Sequence, residues 1–369
     1  MKSLTNLLSI VIILISAGTI WSCDDYGKDS NSTKPKARGA IGEIILAIDS
    51  TKWQGPVGDA LQDVFLEDVE GLIRDESMFS IKRVDPRAMT RILKMATNIV
   101  YVTTFDDKKA GSQNINKIFS KEAKEKAAED PNLYMLRSED EFAVGQELIY
   151  LFGNNEEELI KNLKQNKNKL QNLFQVRERG RLEKNILNRK SSVARVAGEK
   201  LGLAINVPAS YQIAKAEDDF LWLRQPTPRT DRADISLFFY ETDYTSEEQV
   251  FPENVIKLRD QITQKHIFGD PDNKDSYLVI EKVDPTPVFN NFNINDNFAV
   301  EIRGGWKTAN ISMGGSFLAY VIVDAKRGKL YYMEGFVYFP NQGHREAIRE
   351  IETLLLATDI LPEQSLQVN

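Results

Sequence analysis

FLAYVIVDAKRGKLYYMEGFVYF, residues 317–339, reads as two long strands joined by a tight turn. Residues 317–323 and 330–339 are rich in β-branched and aromatic side chains, the composition of a buried pleated strand. The polar residues 324–329 between them hold Arg327-Gly328, the chemistry of a hairpin turn. A hairpin this long needs further strands beside it to be stable. Candidates precede it at 203–207, 211–214, 220–224, 235–240, 277–281 and 298–302, interrupted by a helical pattern at 254–266. Val193 to Leu201 precedes them as a short helix ended by Gly202. An amphipathic helix carrying Ile348, Ile351, Leu354 and Leu355 follows the hairpin. The C-terminal half is therefore expected to be an antiparallel sheet flanked by helices.

The N-terminal half alternates instead. EIILAI at 43–48 reads as a short buried strand, and Leu61, Val64 and Phe65 mark a helix. Residues 79–82 alternate as a strand does. Asp85-Pro86 pairs an N-cap with a proline at the first helical position, and predicts a helix carrying Met89, Ile92 and Leu93. IVYVTTF at 99–105 and residues 147–152 are further strands, with a solvated helix expected over 106–130. A long helix then places Leu159, Leu163, Leu170, Leu173 and Phe174 on one side. It continues into RERGRLE at 177–183, whose interspersed charges read as a solvent-facing surface. The fold class is α+β: an N-terminal α/β layer with a long helix at 40–190, then an antiparallel-sheet domain flanked by helices at 191–369. The boundary falls in the polar residues 188–192.

The first 39 residues follow a different logic. Lys2, an apolar run at 7–15 broken only by Ser9, and a short stretch at 16–22 with several small residues form the three regions of a secretory signal peptide. The run is shorter than the ~20 residues that span a bilayer. Ile20-Trp21-Ser22-Cys23 resembles a lipobox, and Cys23 is the only cysteine. Residues 1–22 are read as a signal peptide and Cys23 as a lipidation site. Each buried CH₂ contributes about 0.8 kcal/mol, so two or three acyl chains would hold stably. Residues 23–39 are polar and read as a flexible tether. Asp24-Asp25 resembles a surface-export signal of Bacteroidota lipoproteins; in an enterobacterial lipoprotein an aspartate there would instead resemble an inner-membrane retention signal. The expected location is the outer membrane, lipid-anchored, on its periplasmic or its outer face.

Composition narrows the function classes. A hydrophobic content of 42 % suits a packed body, and a net charge of −7 argues against a nucleic-acid partner. One cysteine excludes an internal disulfide and a cysteine-based zinc cluster. His266 and His344 are the only histidines and stand in no metal-binding spacing, so no metal or cofactor is expected. Gly314-Gly315-Ser316 lacks the context of a nucleophile elbow and reads as a bend or bulge in a sheet. DPDNKD at 270–275 alternates oxygen ligands but lacks the glycine and distal glutamate of a calcium loop, so it reads as a polar turn.

The candidate binding cluster is Glu301, Arg303, Trp306 and Phe317, joined by Arg259 and Tyr277. Arginine beside tryptophan offers a planar fork and a stacking face, and Gly304-Gly305 would admit a close approach. The competing reading makes Glu301–Arg303 an internal salt bridge and Trp306 a core plug. Two functions remain open. One is a non-enzymatic binding or assembly module that touches the membrane through its lipid and presents a face to a protein or glycan partner. The other is a hydrolase of an envelope polymer working through a carboxylate pair.

Lys52-Trp53 through Gly58-Asp59, residues 156–174, RER at 177–179, NVPASY at 206–211, FLWLR at 220–224, RGGW at 303–306 and MGGSF at 313–317 resemble a Bacteroidota lipoprotein family. It is the domain of unknown function 4837, and the resemblance extends over nearly the whole chain after the tether. It implies no activity, cofactor or catalytic residue. The second half is also loosely similar to PsbP- and Mog1-type α/β domains, where a strand of the form x-x-Val-Pro-x-x-Tyr opens an antiparallel sheet closed by a helix. That similarity concerns fold alone.

Overall fold

The computed structural model describes residues 33–187, 193–227 and 231–362. The export segment, Cys23, the tether up to residue 32 and the boundary at 188–192 lie outside the described residues. Residues 35–38, expected as tether, already pair with the folded body. The Ala37 N–H donates to the Val144 carbonyl at 2.8 Å, the Val144 N–H to Pro35 at 2.9 Å, and the Arg38 N–H to Met95 at 2.8 Å. Backbone pairing orders a stretch that composition alone reads as free.

The N-terminal layer runs β1 (Glu43–Ile48), the single turn α1 (Ser50–Trp53), α2 (Pro56–Phe65), β2 (Ser80–Val84), β3 (Asn98–Thr104), α3 (Ala110–Asn116), α4 (Lys121–Glu129), β4 (Met135–Glu139), β5 (Glu147–Gly153), α5 (Glu156–Gln165) and α6 (Lys167–Ile186). The strand order is β2-β1-β3-β5-β4. Four strands are parallel, and β4 lies antiparallel on the edge. Ile44, Leu46 and Ile48 pack beneath α2, α5 and α6. Ile45 and Ala47 pack on the opposite face with Ile115, Phe119 and Ala127 from the segment spanning α3 and α4. A sheet covered on both faces requires apolar residues at odd and even positions alike, which is why these strands read as unbroken apolar runs.

Two local expectations are corrected, and one strand was not foreseen. Asp85 does cap a turn, its carboxylate accepting from the Arg87 N–H at 2.8 Å, but only 3₁₀ turns form at Pro86–Ala88 and Leu93–Met95. They deliver Met89 and Leu93 to the core while Ile92 stays 77 % exposed. The long helix breaks at Asn166 into α5 and α6. The half-exposed edge strand β4 has no apolar run to announce it.

The second half runs α7 (Val193–Leu201), β6 (Leu203–Ala204), β7 (Gln212–Ala216), β8 (Phe220–Gln225), β9 (Asp234–Asp243), α8 (Pro252–His266), β10 (Phe268–Asp270), β11 (Asn273–Ile280), β12 (Val288–Ile294), β13 (Asn297–Thr308), β14 (Gly314–Asp324), β15 (Lys329–Tyr338), α9 (Arg345–Leu356) and β16 (Asp359–Ile360). An antiparallel sheet takes the order β10-β11-β13-β14-β15-β9-β8-β7, with β12 also on β13. Residues of α7 and α9 cover one face and residues of α8 the other. β14 and β15, at its centre, are buried almost throughout. Their turn uses Gly328 at φ +62°, and 270–275 spans the hairpin turn between β10 and β11. The architecture is α+β.

Candidate functional site

A cleft of about 440 Å³ opens where the α2–β2 loop and α6 face β13 and α9. The loop is narrow because the Val69 N–H donates to the Glu76 carbonyl (2.9 Å) and the Met78 N–H to the Glu67 carbonyl (2.7 Å). Its tip rests on β13. Gly71 has φ +75°, and a Cβ there would lie 2.7 Å from the Arg303 carbonyl carbon. Only glycine meets both conditions.

The same loop is tied to the C-terminal sheet and to α9. The Ile73 N–H donates to Ser316 Oγ at 3.2 Å. Glu76 accepts from the backbone N–H groups of His344 and Arg345. Arg345 Nη1 donates to the Ser77 carbonyl (2.6 Å) and Arg349 Nη2 to that of Met78 (2.7 Å).

The cleft floor is an ion-pair network. Arg303 donates to both Glu301 oxygens (2.8 and 3.0 Å) and to Glu352 (2.9 Å), and the Tyr320 hydroxyl donates to Glu301 (3.1 Å). Burial opposes the Glu301 charge, but the Arg303 guanidinium, with hydrogen bonds from Tyr320 and Asn290, outweighs it and holds the carboxyl below its ordinary range. Burial likewise opposes the Arg303 charge, and its two carboxylates more than compensate.

The expected cluster is divided by the sheet. Glu301 and Arg303 face the cleft. Trp306 and Phe317 sit in the core on the opposite side, 3 % and 1 % exposed. Successive strand residues point to opposite faces, so positions 303 and 306 cannot share one. Trp306 Nε1 donates to the Val337 carbonyl (3.1 Å) and offers no free stacking face. Arg259 is fully buried, donates to both oxygens of Glu334 (2.8 and 2.7 Å), and places its guanidinium 4.7 Å from the centre of the Phe317 ring. The Tyr332 hydroxyl completes that pair by donating to Glu334 (2.7 Å). Tyr277 is half-buried on β11 opposite Phe268.

The glycines serve packing. A Cβ on Gly315 would lie 1.9 Å from the Val337 carbonyl oxygen. Gly314, Gly315 and Ser316 continue a regular ladder with β13, without the expected bend. Ser316 and His344 are 0 % and 2 % exposed. His344 Nε2 donates to the Phe339 carbonyl (3.1 Å), which leaves Nδ1 to accept from the Ser316 N–H (3.2 Å). This is a closed latch, and burial keeps the imidazole below its ordinary pKa.

RERGRLE also turns inward, against expectation. Glu178 is 3 % exposed and accepts from Asn98 (2.6 Å) and Arg181 (2.8 Å), while Arg177 reaches Glu139 (3.3 Å) and Glu147 (3.5 Å). In doubly wound sheets, ligands bind beyond the strand ends where the order switches, here between β1 and β3. Lys52 fills that place, 3 % exposed, with Thr104 (3.1 Å), Glu156 (2.7 Å) and Asp107 (3.3 Å) around its Nζ. Among the described residues no group of three or more histidine, cysteine or acidic side chains is placed to hold a metal. No helix among them is long and apolar enough to cross a membrane.

Sequence reasoning missed Glu352, Arg345, Arg349, Glu76 and the loop carboxylates. Glu352 follows Ile351 on an amphipathic helix and carries no local signal of its partner 49 residues away.

No curated relative matches the chain. Among solved structures, the Saccharomyces cerevisiae Ran-binding protein Mog1p is 6 % identical, over 45 % of this chain and 93 % of that one, with a TM-score of 0.30. A point mutant of Mog1 is 6 % identical over 45 % and 94 %, with a TM-score of 0.27. A Bacteroides thetaiotaomicron VPI-5482 protein is 8 % identical over 44 % and 46 %, with a TM-score of 0.25. Likenesses of this size carry no argument about the site. Family models divide the chain more sharply, and the expected similarity over nearly the whole chain narrows to its second half. Residues 37–187 match the family model of the domain of unknown function DUF8532, and residues 190–357 match that of DUF4837.

Proposed function

We propose that this is a lipid-anchored outer-membrane protein of the Bacteroidota whose folded body is a non-enzymatic binding or assembly module, with the cleft as its contact surface. The observation that carries the binding reading is the state of the cleft floor. Arg303, Arg345 and Arg349 are each held by a carboxylate, and the last two also by a backbone carbonyl. Such a surface is preformed, so binding loses little side-chain freedom. Among the described residues the lining has no aromatic side chain, which favours a protein partner over a stacked glycan.

The hydrolase reading fits less well. A carboxylate pair needs one member that keeps its proton near neutral pH. Glu301 and Glu352 both serve Arg303, and Glu301 is held in its charged form. The anchor rests on the apolar export run and on Ile20-Trp21-Ser22-Cys23.

Two experiments test this reading. A photocrosslinking residue at Asn172, in the cleft, should yield one discrete adduct in intact cells, and one at Lys257 on α8 should not. Equal labelling from both positions would remove the cleft from consideration. Cys23→Ser should abolish fatty-acid incorporation and release the protein from membranes. Continued membrane association would overturn the anchor.

A further inference from the structure

We infer that the cleft takes an extended, basic segment of a partner protein, an inference that deepens the binding-module reading and rests on it. Three features of the cavity converge. The first is its shape. Asn168, Gln171, Asn172 and Gln175 line it at the i, i+3, i+4, i+7 spacing of one helix face. They run for about 10 Å at 1.5 Å per residue, the length of roughly three residues of extended chain.

The second is its hydrogen-bonding character. Amides both donate and accept, so this wall suits a peptide backbone. Gln171 is committed to the Val64 carbonyl (2.9 Å) and Glu67 (2.6 Å), and Gln175 Nε2 donates to Met78 Sδ (2.9 Å). Asn168 and Asn172 have no side-chain partner among the described residues and are exposed.

The third is its charge. Five carboxylates line the cleft against three guanidinium groups; Glu301 and Glu352 are taken up by Arg303 and Glu67 by Lys167, so the uncompensated charge is that of Asp68 and Glu70. Asp68 and Glu70, on the loop, are exposed and have no side-chain partner among the described residues. The loop ladder and the seat of Gly71 on β13 hold them in place. Fixed carboxylates beside an amide wall select lysine or arginine side chains on an extended backbone and repel acidic ones.

The test uses the full-length lipidated protein in detergent micelles and three fluorescent probes read by anisotropy. These are a Lys-Ser-Lys-Ser-Lys peptide, a Glu-Ser-Glu-Ser-Glu peptide and an N-acetylglucosamine tetrasaccharide. The lysine peptide should bind, and less tightly as ionic strength rises. The double variant Asp68→Asn, Glu70→Gln should weaken it about tenfold, the size expected for two exposed charge contacts. Both positions are exposed, so an unchanged unfolding midpoint should accompany that loss. Equal binding of the two peptides, or an unaltered affinity in the double variant, overturns the inference. Binding of only the acidic peptide or the tetrasaccharide also overturns it but leaves the cleft a binding site. No binding of any probe, with no adduct from position 172, overturns the inference and the binding-module reading together.

Discussion

The Glu76 carboxylate accepts a hydrogen bond from the His344 backbone N–H at 2.5 Å, so a residue 268 positions earlier caps the first turn of α9. Its second oxygen takes the Arg345 N–H at 3.0 Å. His344 makes no side-chain cap of its own, and the first N–H groups of a helix need an outside acceptor. Glu76→Ala should therefore lower stability by about 1–2 kcal/mol, the usual cost of a lost N-cap. Chemical denaturation checks this, with Glu76→Gln expected to lose less because its amide oxygen still accepts.

Two glycines should respond in opposite directions to alanine. Gly315→Ala drives a methyl group to 1.9 Å from the Val337 carbonyl and should cost about 3 kcal/mol or more. Gly180, inside α6, has no neighbour within 4 Å of the added carbon. Gly180→Ala should stabilise by about 0.5–1 kcal/mol through helix propensity. Thermal unfolding of the two variants decides between them.

Trp306→Ala should be severely destabilising, by about 3–5 kcal/mol, because the ring is 3 % exposed and packs edge-on against Phe336 at 5.4 Å. Tyr277→Ala, at a half-buried position, should cost less. Equal losses in urea denaturation would contradict the placement of Trp306 in the core.

Arg259 and Glu334 are both 0 % exposed. Arg259→Met alone leaves an uncompensated buried carboxylate and should cost about 3–5 kcal/mol. Adding Glu334→Leu should recover much of that loss, since removing a whole buried pair is often tolerated. A double-mutant cycle measures the coupling.

Stability should fall in mild acid. Burial, with the Lys215 ammonium next in effect, pushes the His266 imidazole down to about 4 from its usual 6.5. Its Nδ1 lies 2.8 Å from Lys215 Nζ, and its ring stacks on Phe220 at 3.9 Å. Below about 6.5 the unfolded chain binds a proton that the folded one refuses, so stability drops as pH falls toward about 4. The integrated effect is on the order of 3 kcal/mol. His344, lowered for the same first reason, adds in the same direction. Urea midpoints at pH 4.5 and 7 should differ in the parent and differ less in His266→Phe.

Much of the fold was legible along the chain. Residues 43–48, 99–105, 147–152, 220–224 and 317–339 all form strands close to where their side chains place them. Strands buried on both faces must be apolar throughout, and that signal is local. β4 and β12 escaped notice because edge strands need no apolar run. The helix expected after Asp85 failed because a cap and a proline start a turn without lengthening it.

The candidate site was less legible. Glu301 and Arg303 were singled out with Trp306, yet strand parity sends them to opposite faces. That parity became usable only once β13 was known to run unbroken through Trp306.

Apolar runs, turn residues and caps determined the α+β class and the position of the central hairpin, because each acts between neighbours in the chain. The cleft arises from groups far apart in sequence, such as Gly71 on Arg303, Glu76 on His344 and Glu352 on Arg303. Only the folded chain brings these charges and backbone groups within bonding distance, and no pattern of spacing records a contact of that range.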